Sequence, residues 1–169
     1  PQWLGNLGGK AMSLGLDLRG GVHFLLEVDM EAVISTSLDR YYNELRTVLR
    51  KENIKYKIVR GDNLLTLTFK TESFKDDAKK VIKKDLPDLV IAEGTDEGLE
   101  LGLQISLSAQ TAAKSSALKQ NITTLRNRVN ELGVAEPIIQ QQGTERIVVQ
   151  LPGVQDTARA KEILGAVAT

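Results

Sequence analysis

The sequence predicts an α+β fold of two ferredoxin-like β-α-β-β-α-β units, with antiparallel sheets and helices on one face of each. Three observations carry this reading. Short stretches of apolar/polar alternation are interspersed with longer ones in which apolar residues recur every three or four positions. Glycine, asparagine and proline punctuate the boundaries. The resulting order repeats: 22–92 reads β-α-β-β-α-β, and 99–168 reads β-α-β-β-α without a last strand.

Residues 1–12 hold Gly5, Gly8 and Gly9 without periodicity and read as a linker. In 13–29, Leu14, Leu16 and Leu18 alternate with polar or glycine positions. Arg19-Gly20-Gly21 then interrupts as a bulge or turn, and Val22, Phe24, Leu26 and Val28 resume the strand. Ile34, Leu38, Tyr41, Leu45 and Leu49 form the apolar stripe of a helix over 31–52, and Asn53 is suited to a left-handed end. Tyr56 and Ile58, then Leu65, Leu67 and Phe69, alternate on either side of Gly61-Asp62-Asn63 and predict a hairpin.

A second helix is expected over 73–84, with Ser73 as N-cap and Asp76 and Asp77 favouring the helix dipole. Phe74, Ala78, Val81 and Ile82 form its inner stripe, and Pro87 ends it. A strand at 89–92, a turn at 94–98 and a strand through Leu99, Leu101, Leu103 and Ile105 follow. Leu118, Ile122, Leu125, Val129 and Leu132 step by four and three along a helix over 109–132, stopped by Gly133 and Pro137. Residues 137–142 and 146–151 pair across Gly143, Pro152-Gly153 turns the chain, and Asp156 caps a last helix carrying Ala160, Ile163, Leu164 and Val167. The expected organisation is a base subdomain of 13–30 and 99–169, incomplete at its C-terminal edge, with 31–98 inserted. The sequence reads as cut before the base's final strand, or residues 13–18 take its place.

Composition narrows the function. The 169 residues carry 22 basic and 22 acidic side chains, so net charge gives no reason to expect nucleic acid or anionic lipid as a partner. Aromatics are 4%, too few for a base-stacking platform, and an RNA-binding reading ranks last. There is no cysteine and one histidine, which excludes disulfides, thiolate chemistry and multi-histidine metal sites. No cofactor is expected. No apolar run reaches the roughly 20 residues of a membrane helix.

Two motif blocks remain. Gly15, Asp17, Arg19, Gly20 and Gly21 fall in GLDLRGG, followed by Val22-His23-Phe24. The second runs through Arg126, Asn127, Arg128 and Asn130, then Gly133 and Pro137, and on to Leu151-Pro152-Gly153 and Asp156–Gly165. Together they resemble the first periplasmic domain of the SecD family of Sec protein-export subunits, within the wider group of proton-driven RND-type transporters. Residues 31–105 have no short signature and resemble, more loosely, the extra subdomain of SecD proteins of the Gram-negative type. The resemblance implies a non-enzymatic module on the periplasmic face of the bacterial inner membrane. Its expected partners are SecF, the SecYEG channel and unfolded preprotein, with membrane contact only through helices outside this stretch. It also implies that the proton-carrying residues sit in those helices, and that a mobile head following Thr169 contributes preprotein contact.

Each candidate site has a plainer reading beside it. The 17–21 loop reads as a structural bend, or as an anion cradle in which Arg19 serves an acylphosphatase-like enzyme. His23 shares a strand face with Leu25, Glu27 and Asp29. It lies about 13 Å along the strand from Glu27, too far for the two alone to hold a metal. Arg126 and Asn130 share a helix side, and Arg128 points elsewhere. They read either as a contact for the head, SecF or a neighbouring subdomain, or as ion-pairing partners of Glu131 or Glu136. Lys75, Lys79, Lys80, Lys83 and Lys84 read as a solvated face laced by Asp76–Lys80 pairs, with a lipid-facing patch as the alternative.

Overall fold

The structure is a computed structural model that describes residues 21–131, 133–134, 136–154 and 158. Its elements in chain order are β1 (Gly21–Glu27), α1 (Met30–Lys51), β2 (Tyr56–Arg60), β3 (Leu65–Phe69), α2 (Glu72–Asp85), β4 (Leu89–Ile91), β5 (Glu100–Ile105), α3 (Leu107–Glu131), β6 (Ile138–Gln142) and β7 (Arg146–Pro152). They build two antiparallel sheets, a three-stranded β1-β7-β6 and a four-stranded β2-β3-β5-β4. The chain divides into two compact units. One carries nearly all of β1, with β6, β7 and α3 from Asn121 onward. The other carries α1, β2 to β5, α2 and α3 up to Gln120. The expected linker, the strand at 13–18 and the helix from Asp156 lie outside the described residues, apart from Ala158.

The unit with the four-stranded sheet holds a core cluster built from α1, α2, β3, β4 and β5. Asp29 caps α1 by accepting the Ala32 N–H at 2.9 Å. The stripe read from the sequence turns inward: Leu38, Tyr41, Leu45 and Leu49 are buried, with Ile34 packed beside them. Three of these leucines are fully buried, each worth about 1.5–3 kcal/mol of apolar transfer. Asn53 takes φ 55°, the left-handed exit the sequence predicts. Leu65, Leu67 and Phe69 point to the same core from β3, met by Leu101, Leu103 and Ile105 from β5 and by Ala78 and Ile82 from α2. The cap of α2 is Thr71, whose hydroxyl accepts the Phe74 N–H, rather than Ser73. The helix thus starts earlier than expected, and Glu72, not Asp76 or Asp77, is the acidic residue of its first turn.

One strand changes sheet relative to the expected base and insert. The strand at 100–105, assigned above to the base, pairs antiparallel with both β3 and β4 at the centre of the four-stranded sheet. The strand at 21–27, read both as opening the 22–92 unit and as part of the base of 13–30 and 99–169, lies beside β7. In a β-α-β-β-α-β unit the first strand lies between the third and fourth, and here β5 fills that place from the other end. The reason is local. Only a short turn separates β4 from β5, so closing that hairpin costs less chain entropy than recruiting β1 across the whole of α1. The burial patterns agree: β5 is buried at Leu101, Gly102, Leu103 and Ile105, whereas β1 alternates between half-buried and exposed.

In the other unit, Leu125 and Val129 of the long-helix stripe are buried, as are Ile139 of β6 and Ile147, Val149 and Leu151 of β7. Gly133 ends α3 at φ 70°, its N–H donating to the Asn130 carbonyl at 3.0 Å. The β6–β7 hairpin read from the sequence pairs Ile138 with Gln150 through to Gln142 with Arg146.

Candidate functional site

Of the first motif block, Gly21 is described; Gly15, Asp17, Arg19 and Gly20 lie outside the described residues. Gly21 opens β1 against the end of β7. A side-chain carbon there would sit 3.0 Å from the Leu151 carbonyl oxygen and 3.2 Å from Pro152 Cα. Its neighbours are backbone atoms, so the absence of a side chain is what lets the strands approach. Pro152 and Gly153 follow directly, with Gly153 at φ 78° in the turn leaving β7. The structure therefore sets the last glycine of the first motif against Leu151-Pro152 of the second.

Arg126, Asn127 and Asn130 are exposed on α3, and Arg128 is half-buried. The Arg126 guanidinium donates to the Ile139 carbonyl of β6 at 3.5 Å, a long bond. Among the described residues neither arginine pairs with Glu131 or Glu136, the second of the two readings given to this cluster. Pro137 leads into β6, and His23 stands exposed with Leu25 and Glu27 on the outer face of β1.

The lysines of α2 depart furthest from expectation. Lys75 is 5% exposed. Its ammonium donates to the Gly98 carbonyl at 2.6 Å and pairs with Asp96 at 2.7 Å. Lys79 meets the other oxygen of Asp96 at 2.6 Å. Hydrogen bonds from Lys75 and then Lys79 hold the Asp96 carboxyl below its ordinary range. The acidic turn after β4 is thus the counterion of the helix, and Lys80 pairs with Asp77 rather than Asp76.

A second feature has no sequence motif. Tyr42, Arg46 and Arg50 of α1 face Tyr56 and Ile58 of β2 across a groove of about 670 Å³. Ile54 and Phe69 lie buried at its base. Lys55, Lys57, Thr68 and Lys70 complete the lining, which among the described residues contains no carboxylate. The Arg46 guanidinium lies over the Tyr42 ring, 5.6 Å from its centroid. Burial pushes the Tyr56 phenol up from its ordinary value, while Arg50 and Arg46 pull it the other way. The sequence reading missed this site. Its available signal was Arg46 and Arg50 one helical turn apart, just before Lys55 and Lys57.

Among the described residues no group of His, Asp and Glu side chains is placed to hold a metal ion. No helix there is long and apolar enough to cross a membrane. What the fold presents among the described residues is an α+β module of two antiparallel sheets with a charged groove. Two families match: the N-terminal part of the P1 domain of protein translocase subunit SecDF at residues 118–169, and the SecD/SecF GG motif at 6–32. The chain belongs to the SecD family of protein translocase subunits, and the stretch described is from its P1 domain. It is 49% identical over 171 residues to protein translocase subunit SecD of Escherichia coli K12, covering all of this chain. It is 48% identical over 170 residues to that of Pseudomonas aeruginosa, and 49% over 173 residues to that of Haemophilus influenzae. The chain spans 27–28% of the length of these relatives. No solved structure matches it.

Proposed function

We propose that this chain is a non-catalytic periplasmic module of a SecD subunit. Together with SecF and the SecYEG channel, it would assist proton-motive-force-driven export of preproteins as a lever or preprotein-contact surface. The observation that carries the reading is the near-50% identity to SecD along the entire chain, including the unit with no short signature. The surfaces on offer suit contact chemistry: a sheet edge, a groove and exposed polar side chains on α3. None of these asks for turnover.

The test is made in cells that depend on the full-length subunit. One variant replaces 30–105 by a short flexible linker, and another carries Arg126→Ala with Asn130→Ala. Accumulation of unprocessed preprotein in either supports the proposal. Normal export in both, at normal subunit levels, refutes it.

A further inference from the structure

We infer that the groove between α1 and β2 receives an extended, acidic stretch of polypeptide, which adds as a strand to the free edge of β2. The inference rests on the contact-module reading above and gives it a site and a substrate class.

The backbone supplies the first argument. Among the described residues β2 is an edge strand, paired only with β3. The Gly61 N–H donates to the Leu64 carbonyl at 2.8 Å, which makes 61 and 64 a hydrogen-bonded pair. Such pairs alternate along an antiparallel ladder, so Val59 and Lys57 also bond inward, to Thr66 and Thr68. The N–H and C=O groups of Tyr56 and Ile58 therefore point off the sheet. Neither residue's backbone bonds to another element among the described residues. They form a template for an added strand.

Charge supplies the second argument and identifies the occupant. Among the described residues none of Arg46, Arg50, Lys55, Lys57 and Lys70 is in an ion pair, whereas Arg40, Arg60, Lys75, Lys79 and Lys80 each have a carboxylate. Five uncompensated cations around one groove favour a partner that brings carboxylates. The same wall also offers Tyr42, Tyr56 and Ile58. A strand about 4.8 Å from β2 would alternate its side chains: apolar ones onto these rings, acidic ones toward the cations. An anionic lipid surface would satisfy the arginines but leave the edge amides unused, so the geometry favours polypeptide.

The test is an NMR titration of the 169-residue chain with a decapeptide of alternating valine and glutamate. A valine–lysine decapeptide and phosphatidylglycerol vesicles serve as comparators. Shifts are expected to be confined to 42–60 and 68–70, with slowed hydrogen exchange at the Tyr56 and Ile58 amides. Affinity should fall about tenfold in Arg46→Glu/Arg50→Glu, and as salt rises from about 0.05 to about 0.5 M. Lys55→Glu/Lys57→Glu repeats the loss from the strand side, and unchanged Leu67 and Leu103 amides verify folding. Equal binding of the lysine peptide, shifts away from β2, or vesicles claiming these residues while the peptide gives none would each overturn the inference. In those cases an export defect on removal of 30–105 would still leave the proposed function standing.

Discussion

Gly102 sits at the centre of the four-stranded sheet, opposite Thr66 of β3. On its other side the chain folds back. The Gly102 N–H donates to the Thr95 carbonyl at 3.2 Å, and the Thr95 hydroxyl donates to Ala92 O at 2.7 Å, with Gly102 O at 3.2 Å. A methyl group at 102 would fall 2.5 Å from Thr95 Cβ and would also collide with its hydroxyl. Rotating Thr95 does not relieve a clash with Cβ, so the turn itself must shift. Overpacking of this kind costs about 1–3 kcal/mol, and the displaced hydroxyl bonds add about 0.5–1.5 kcal/mol. Alanine's smaller unfolded-state entropy offsets about 0.4–1 kcal/mol. Gly102→Ala is therefore expected to destabilise by about 2 kcal/mol, a fall of about 1 M in the urea midpoint. Combining it with Thr95→Gly removes the obstacle, so the double-mutant cycle should show a favourable coupling of at least about 1 kcal/mol. Urea unfolding followed by far-ultraviolet circular dichroism measures all four corners. An unchanged or raised midpoint for Gly102→Ala, or additive single changes, would refute the reasoning.

Three further outcomes follow from the same geometry. The Asp96 carboxyl is held below its ordinary value of 3.8, chiefly by Lys75 and then Lys79, so the unfolded chain binds the proton more readily. Its contribution is complete above that value and is lost as pH falls through the lower folded one. Asp96→Asn should flatten this acid limb in urea midpoints measured from about pH 6 to about pH 2. Gly21→Val should destabilise the sheet of β1, β7 and β6 by about 1–3 kcal/mol, because the branched side chain meets the Leu151–Pro152 backbone. Faster hydrogen exchange at the β7 amides would show it. Arg126→Ala removes one long bond from a side chain at the surface, so its stability cost should stay below about 1 kcal/mol. An export defect in that variant with an unchanged melting curve would assign Arg126 to a contact surface.

Local patterns were legible in the sequence and long-range partners were not. Leu38, Tyr41, Leu45 and Leu49 announce their helix face, and Leu65, Leu67 and Phe69 their strand face, because periodicity is a property of neighbouring residues. The turn glycines at 133 and 143 and the left-handed Asn53 were equally plain. Sheet partners are different. The strands at 22–28 and 99–105 alternate equally well, and nothing in either says which sheet it enters. The loop between β4 and β5 decides it. Lys75 fits any solvated lysine-rich helix by its spacing, and becomes buried only because Gly98 and Asp96 fold over it from more than 20 positions away. The groove cations come from α1, β2, β3 and their flanks, so no motif links them. The Arg126 cluster is readable as a motif, but whether it serves fold or contact depends on a carbonyl of β6 that the sequence does not reveal.

Lys75 also makes the molecule its own chemical clock. An amine-reactive acylating reagent reaches Lys80, Lys83 and Lys84, which are exposed, without any change in the protein. It reaches Lys75 only when the turn bearing Asp96 and Gly98 swings away, because the ammonium is held beneath that turn. With fast reclosing, the ratio of labelling rates at Lys75 and Lys83 is the equilibrium fraction of open turn. Read peptide by peptide in a mass spectrometer, that ratio would record local opening of the turn, in purified protein or in a membrane, without a single engineered residue.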